Sequence, residues 1–202
     1  MTKGEITRRN IVAQAAAVFN QKGYEGSSVS ELCALTRLQK GGLYRHFASK
    51  EELALEAFDY AVRKAVEARS PTEEERARLS PFALLQLSVQ RFAEPEGELV
   101  PGGCPLLNTA VDADDGNPAL RARVECAMAS WLEKLTMLAR EAVEVGELAE
   151  DIEPDAVSLQ IVATLEGALI IARLQRSRDP VLRMTAQLQS WLVSLKRNTG
   201  GS

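Results

Sequence analysis

Lys40-Gly41-Gly42-Leu43-Tyr44-Arg45-His46-Phe47 sets two cations, a phenol and an imidazole along one short segment, with Lys50 close behind. The segment contains no acid, so it suits a polyanion. A lysine or arginine neutralises a phosphate, a phenol or hydroxyl hydrogen-bonds one, and an arginine fork can read the outer edge of a guanine. Arg45 is the candidate for such reading, against simple backbone contact. Leu43 and Phe47 are four apart, share one helical face and would anchor the segment. Gly41 and Gly42 are poor helix formers and fit a close approach of backbone to DNA. Lys50 could sit beside a phosphate together with the N-terminus of the helix it opens.

Other chemistries lack their parts. His46 is the one histidine, so no Ser-His-Asp or Cys-His pair can form elsewhere. Cys33, Cys104 and Cys126 are widely spaced and have no second histidine to complete a metal site. No glycine-rich phosphate loop follows a strand. The expectation is no enzyme, no metal and no cofactor. An odd number of scattered cysteines fits a reducing cytoplasm rather than a disulfide framework. No signal peptide is evident, and no apolar run approaches the roughly 20 residues of a membrane span. The expected location is therefore cytoplasmic, with no membrane partner.

The elements that must hold these residues read as helices throughout. Alanine and leucine are plentiful, glycine and proline fall at breaks, and no run alternates as a strand would. The fold class is all-α, with about nine helices and no sheet. The first helix covers Thr7 to Gln21, with Ile11, Ala15, Val18 and Phe19 inward. Ser28 caps the second, Val29 to Thr36, with Glu31 completing a capping box and Leu32 and Leu35 inward. The third covers Lys40 to Phe47. Ser49 and Glu52 open a fourth that runs to Arg69. Ser70-Pro71 and the charged stretch Glu73–Arg78 read as a break. Helices follow from Pro81 to Ala93, Leu106 to Ala113, Pro118 to Val145, Pro154 to Arg176 and Pro180 to Lys196. Glu94 to Pro105 reads as a loop, Asp115-Gly116-Asn117-Pro118 as a stop and restart, and Asn198 to Ser202 as a frayed end.

Charge divides the chain at the same place. Residues 1–50 hold eight Lys/Arg and three acids, a net +5, which leaves −9 on the remainder of a chain whose total is −4. A basic head on an acidic body is drawn to a polyanion by one end only.

The run from Gly41 to Leu53, GGLYRHFASKEEL, resembles the signature of TetR-family transcriptional regulators. Ile11, Ala15, Phe19, Lys22-Gly23-Tyr24 and Ser28-Val29 sit in the same pattern, and the likeness is close over residues 5–60. It implies a three-helix helix-turn-helix head, residues 1–48, joined by a fourth helix to a ligand-binding and dimerisation body, residues 49–202. It implies that Lys40, Gly42, Tyr44, Arg45 and His46 meet DNA from the recognition helix, that Ser28 and Ser30 touch phosphates, and that Lys50 does so from the fourth helix. Three positions depart from the family pattern. Arg37 stands where glycine is common, Gln39 where serine or threonine is common, and Gly42 where threonine is common. Arg37 and Gln39 are therefore candidates for contacts of their own.

For the body, the resemblance implies that the last two helices pair with their mates in a homodimer. Leu165, Ala168, Ile171, Ala172, Leu188, Trp191, Leu192 and Leu195 are the candidate interface. It also implies a small-molecule effector pocket, for which Phe92, Cys104, Leu107, Asn108, Val111, Met128, Trp131, Leu135 and Leu165 are candidates. Cys33 and Cys126 read as small core residues. The expected function is sequence-specific binding to a pseudo-palindromic DNA operator by a repressor that an unidentified small molecule releases. The alternative is the same DNA binding with thiol-based sensing of oxidants or electrophiles through Cys104, which opens a helix in the motif Gly102-Gly103-Cys104-Pro105.

Overall fold

The structure is a computed structural model that describes residues 2–94, 100–113 and 116–197. The described residues form ten helices: α1 Lys3–Lys22, α2 Val29–Thr36, α3 Lys40–Leu43, α4 Lys50–Arg69, α5 Glu73–Arg78, α6 Pro81–Ala93, α7 Pro105–Ala113, α8 Pro118–Glu144, α9 Pro154–Gln175 and α10 Asp179–Ser194. The only β pairing among them is one isolated bridge, Leu148 to Lys196. The all-α expectation holds. Part of the loop from Glu94 to Pro105, the acid Asp115 and the end from Asn198 to Ser202 lie outside the described residues.

The chain divides into two compact units. Unit 1 combines Met1–Ala68 with Gly97–Met128; unit 2 combines Arg69–Glu96 with Ala129–Ser202.

In unit 1, α1 begins earlier than its apolar pattern suggests. Thr2 accepts a hydrogen bond from the Glu5 amide, and Glu5 reaches back to the Thr2 amide, so the helix starts at Lys3. Its inner face, Ile11, Ala15 and Ala16, packs with Leu32 of α2, Leu43 of α3, Phe47, and Leu53, Ala57 and Ala61 of α4. Arg8 ties α1 to α4 through ion pairs with Glu52, at 2.7 Å, and Glu56, while its guanidinium lies 4.2 Å from the Phe47 ring centroid. Asn117 caps α8 by accepting the Leu120 amide at 2.9 Å, as its sequence position suggested.

In unit 2, the stretch Glu73–Arg78 is a helix, not a break. It has no apolar face, and its end is set by a capping box of Thr72 with Glu75. Arg91 Nη2 of α6 donates to both carboxylate oxygens of Glu75 at 2.7 Å, while its Nη1 donates to the Ser70 carbonyl. This six-residue helix accounts for ten helices among the described residues where about nine were expected. Gln86 of α6 and Gln189 of α10 bond side chain to side chain at 3.0 Å, and α9 packs on α10.

Three smaller expectations are corrected. Leu35 is 44% exposed, so Leu32 alone is the buried residue of α2. Cys126 is exposed on α8 rather than a core residue. By length and composition α9 could cross a membrane, with a mean hydropathy of 1.6 over its most apolar stretch. The apolar load has another origin, since α9 puts Val157, Ile161, Val162 and Leu165 into the protein core while Leu159, Ile170 and Leu174 remain exposed.

Candidate nucleic-acid interface

The turn between α2 and α3 is made by an arginine in a left-handed conformation. Arg37 has φ 55° and ψ 31°, and its successor's amide closes on the Cys33 carbonyl at 3.1 Å. Glycine adopts this conformation at lower cost, which is the physical reason glycine is common there. Gln39 is extended and stands at the N-cap of α3 without a side-chain cap bond.

The recognition segment is shorter than expected. Regular helix stops at Leu43, and Tyr44 to His46 continue as a turn rather than helix to Phe47. Two adjacent glycines weaken so short a helix. The backbone is still held: the Tyr44 amide reaches Lys40 at 3.0 Å and the Phe47 amide reaches Leu43 at 3.2 Å. Leu43 and Phe47 are buried, as their spacing required. That anchorage leaves Arg37, Gln39, Lys40, Tyr44 and Arg45 exposed, with Gly42 and His46 half-buried. Ser28 and Ser30 are exposed on the first turn of α2, and the Ser28 hydroxyl accepts the Glu31 amide at 3.1 Å.

The fold does not require glycine at 41 or 42. A Cβ at Gly41 would meet nothing within 4 Å, and one at Gly42 would touch only Leu38, at 3.6 Å. Neither has a positive φ.

Lys50 differs from the rest. It is half-buried, donates to the Tyr24 carbonyl at 2.5 Å and lies 4.1 Å from the Tyr24 ring centroid. It therefore fastens the segment between α1 and α2 to the start of α4. Tyr24 itself is pushed above the ordinary phenol range, first by burial and then by the acids Glu51 and Glu25.

A set of polar residues behind this surface escaped the sequence reading. Asp112 of α7 accepts the Tyr24 amide at 2.5 Å. Asn20, buried near the end of α1, donates to the Pro101 and Gly103 carbonyls at 3.0 Å. Asn108 of α7 donates to the Asn20 carbonyl and carboxamide oxygen at 2.9 Å and to the Gly102 carbonyl at 2.8 Å. An asparagine within an apolar helical stripe was the one available signal. Its partners lie some eighty residues away, beyond the reach of local pattern.

Comparison with known proteins bears on what this surface serves. Residues 11–57 match the family described as bacterial regulatory proteins, tetR family, and residues 83–188 match the tetracyclin repressor-like C-terminal domain, a span of more than half the chain. The chain belongs to the TetR family. A TetR transcriptional regulator from Chloroflexus aurantiacus is 38% identical with a TM-score of 0.88, covering 98% of this chain and 99% of its own. One from Cytophaga hutchinsonii is 29% identical with a TM-score of 0.86 over the same shares. The transcriptional repressor DhaR of Mycobacterium sp. is 27% identical over 86% of each chain. Membership makes the protein a DNA-binding transcriptional regulator and not an enzyme.

Within this TetR protein the expected effector residues fall in both units. Cys104, Leu107, Asn108, Val111 and Met128 belong to unit 1; Phe92, Trp131, Leu135 and Leu165 belong to unit 2. Val111 is 76% exposed, while Phe92 and Trp131 stack with ring centroids 6.1 Å apart. Among the expected interface residues, Leu165, Ala168, Ala172, Leu188 and Leu192 are buried within the protomer; Ile171 is exposed, and Trp191 and Leu195 are half-buried. The thiol-sensing alternative is not supported. Cys104 is 3% exposed, whereas a sensing thiolate must be reachable.

Proposed function

We propose that the protein works as a cytoplasmic homodimer whose two heads read adjacent major-groove faces of a pseudo-palindromic operator. Residues 1–48 form the DNA-binding domain and residues 49–202 the ligand-binding and dimerisation domain. Ser28, Ser30, Arg37, Gln39, Lys40, Gly42, Tyr44, Arg45, His46 and Lys50 are the DNA contacts. The observation that carries this reading is the segment Lys40 to Phe47. Its two apolar residues are buried, its cations and phenol face solvent, and its glycines answer to no demand of the fold. One head covers few bases, so specific binding calls for two across a two-fold axis.

The pairing surface is assigned to α9 and α10, including Ile171, Trp191 and Leu195. An apolar stripe left outside supports this: Leu159, Ile170 and Leu174 of α9, and Leu182 and Val193 of α10, are all exposed. A small-molecule effector acts by binding the DNA-incompetent state more tightly, which is the only way it can shift the equilibrium. Relatives named as a transcriptional repressor and as an A-factor receptor support control by a ligand. The test is selection of bound duplexes from genomic DNA followed by a mobility-shift assay. Recovery of one two-fold-related sequence is expected; equal binding to every duplex overturns the reading.

A further inference from the structure

The helix α2 has one buried side chain, Leu32, with Val29 and Cys33 partly covered beside it. A single anchor fixes where a helix sits better than it fixes its tilt. The tilt is left to the links at its ends, and Gly23 to Ser27 is the link that enters it. The exposed Ser28 and Ser30 follow that link directly.

This link is built to one shape. Gly23 has φ 78° and ψ 171°, a region that is essentially glycine's alone. A Cβ on Gly26 would overlap the Lys22 carbonyl. Ser27 is buried and donates its hydroxyl to the Gly23 carbonyl at 2.6 Å. Tyr24, within the link, is gripped from three helices. Phe19 of α1 stacks on its ring with centroids 6.2 Å apart. Lys50 of α4 donates to its carbonyl. Asp112 of α7 accepts its amide at 2.5 Å, from 88 residues along the chain. The backbone makes room for this third grip, since a Cβ on Gly23 would overlap the Asp112 carboxylate, 2.8 Å from its Cγ. Glycine thus serves both the turn and the seat of the carboxylate.

We propose that Asp112 is a positioning residue for DNA recognition. By fixing the Tyr24 amide it sets the tilt at which α2 leaves the link. That tilt places Ser28 and Ser30, and the recognition segment that α2 leads into. The inference rests on the regulatory reading, and it gives Asp112 itself no contact with DNA.

Asp112→Asn and Asp112→Leu each remove one negative charge and keep nearly the same size. Only asparagine retains an oxygen for the Tyr24 amide, so the difference between the two reads the hydrogen bond without the charge. Both variants of the full chain are titrated with the duplex recovered by genomic selection and with the same bases in scrambled order. The titrations share one salt concentration and run well below either Tm. Asp112→Leu is expected to bind the selected duplex at least about tenfold more weakly than Asp112→Asn, with the scrambled duplex bound equally by both. Amide exchange over residues 24–30 is expected to be faster in Asp112→Leu. A role confined to stability would lower the Tm of Asp112→Leu and leave its affinity for the selected duplex equal to that of Asp112→Asn. That result, or equal amide exchange in the two variants, overturns the inference and leaves the regulatory reading standing. An unaltered chain that prefers no duplex overturns that reading and the inference together. Should circular dichroism show Asp112→Leu unfolded, Asp112→Glu takes its place, keeping charge and acceptor but moving both out by one methylene. It is then expected to bind the selected duplex at least about threefold more weakly than Asp112→Asn, and equal binding overturns the inference.

Discussion

Gly42 separates folding from function at a single position. It sits in a one-turn helix with room for a methyl group against Leu38. Alanine is the better helix former, so Gly42→Ala should raise stability by about 0.5 kcal/mol in urea unfolding. The same change should weaken operator binding if the glycine allows close approach to DNA. A variant that binds the operator unchanged would remove that role. Arg45 is exposed next to it. Arg45→Ala should cost about 1–3 kcal/mol of operator binding and relax the preference at one base pair. Equal weakening on all sequences in an anisotropy screen would make Arg45 a backbone contact instead.

At the scale of helices, α1 and α4 are clasped by Arg8. The Glu52 carboxyl is held below its ordinary range, first by the Arg8 hydrogen bond and then by the Ala48 amide. A carboxyl lowered by folding adds stability above its unfolded value, and that stability is lost as pH falls through the folded value. Glu52→Gln should therefore lower the Tm at pH 7. Its Tm should converge with that of the parent only as pH falls through the lowered folded value of the Glu52 carboxyl, below which both side chains are neutral. Asn20→Leu addresses the junction of α1 and α7. It strips partners from Asn108 and from the Pro101 and Gly103 carbonyls, and should cost about 2 kcal/mol in urea unfolding.

These helices differ in how far the sequence announced them. Ser28 and Asn117 cap the helices that their positions suggested, because capping is local. The helix α5 was invisible to apolar periodicity, since its six residues EEERAR bury nothing; its capping box was the only signal. The recognition segment was recognisable by residue type, but its regular part was overestimated because the weak helix tendency of Gly41 and Gly42, though noted, was not carried into the bounds of the helix. Leu35 was placed inward by spacing alone, and spacing shows which residues share a face, not whether a neighbouring element covers both of them. On α9 both faces are apolar, so periodicity could not tell the core residues Leu165 and Ala168 from the outward Leu159 and Leu174. The hydrogen bonds of Asn20 are long-range and had no local signature.

For the whole molecule, the proposed pairing rests on that outward stripe. Leu174 is 81% exposed, so Leu174→Glu should leave the protomer's helical content and Tm nearly unchanged. Light scattering should then give the mass of one 22.0 kDa chain instead of two. Operator affinity should fall steeply, because two linked heads bind far better than one. A variant that stays dimeric would move the pairing surface elsewhere.

The residues proposed to face DNA fold inside a unit drawn from two separate stretches, Met1–Ala68 and Gly97–Met128, and the second stretch ends within α8. That bears on how such a reader can be transplanted. A hybrid that grafts only the first stretch onto a foreign body would bring Asn20 and Tyr24 without Asn108 and Asp112. New operator specificity is more safely moved by exchanging surface side chains between Ser28 and Arg45, leaving this seam of hydrogen bonds in its native host.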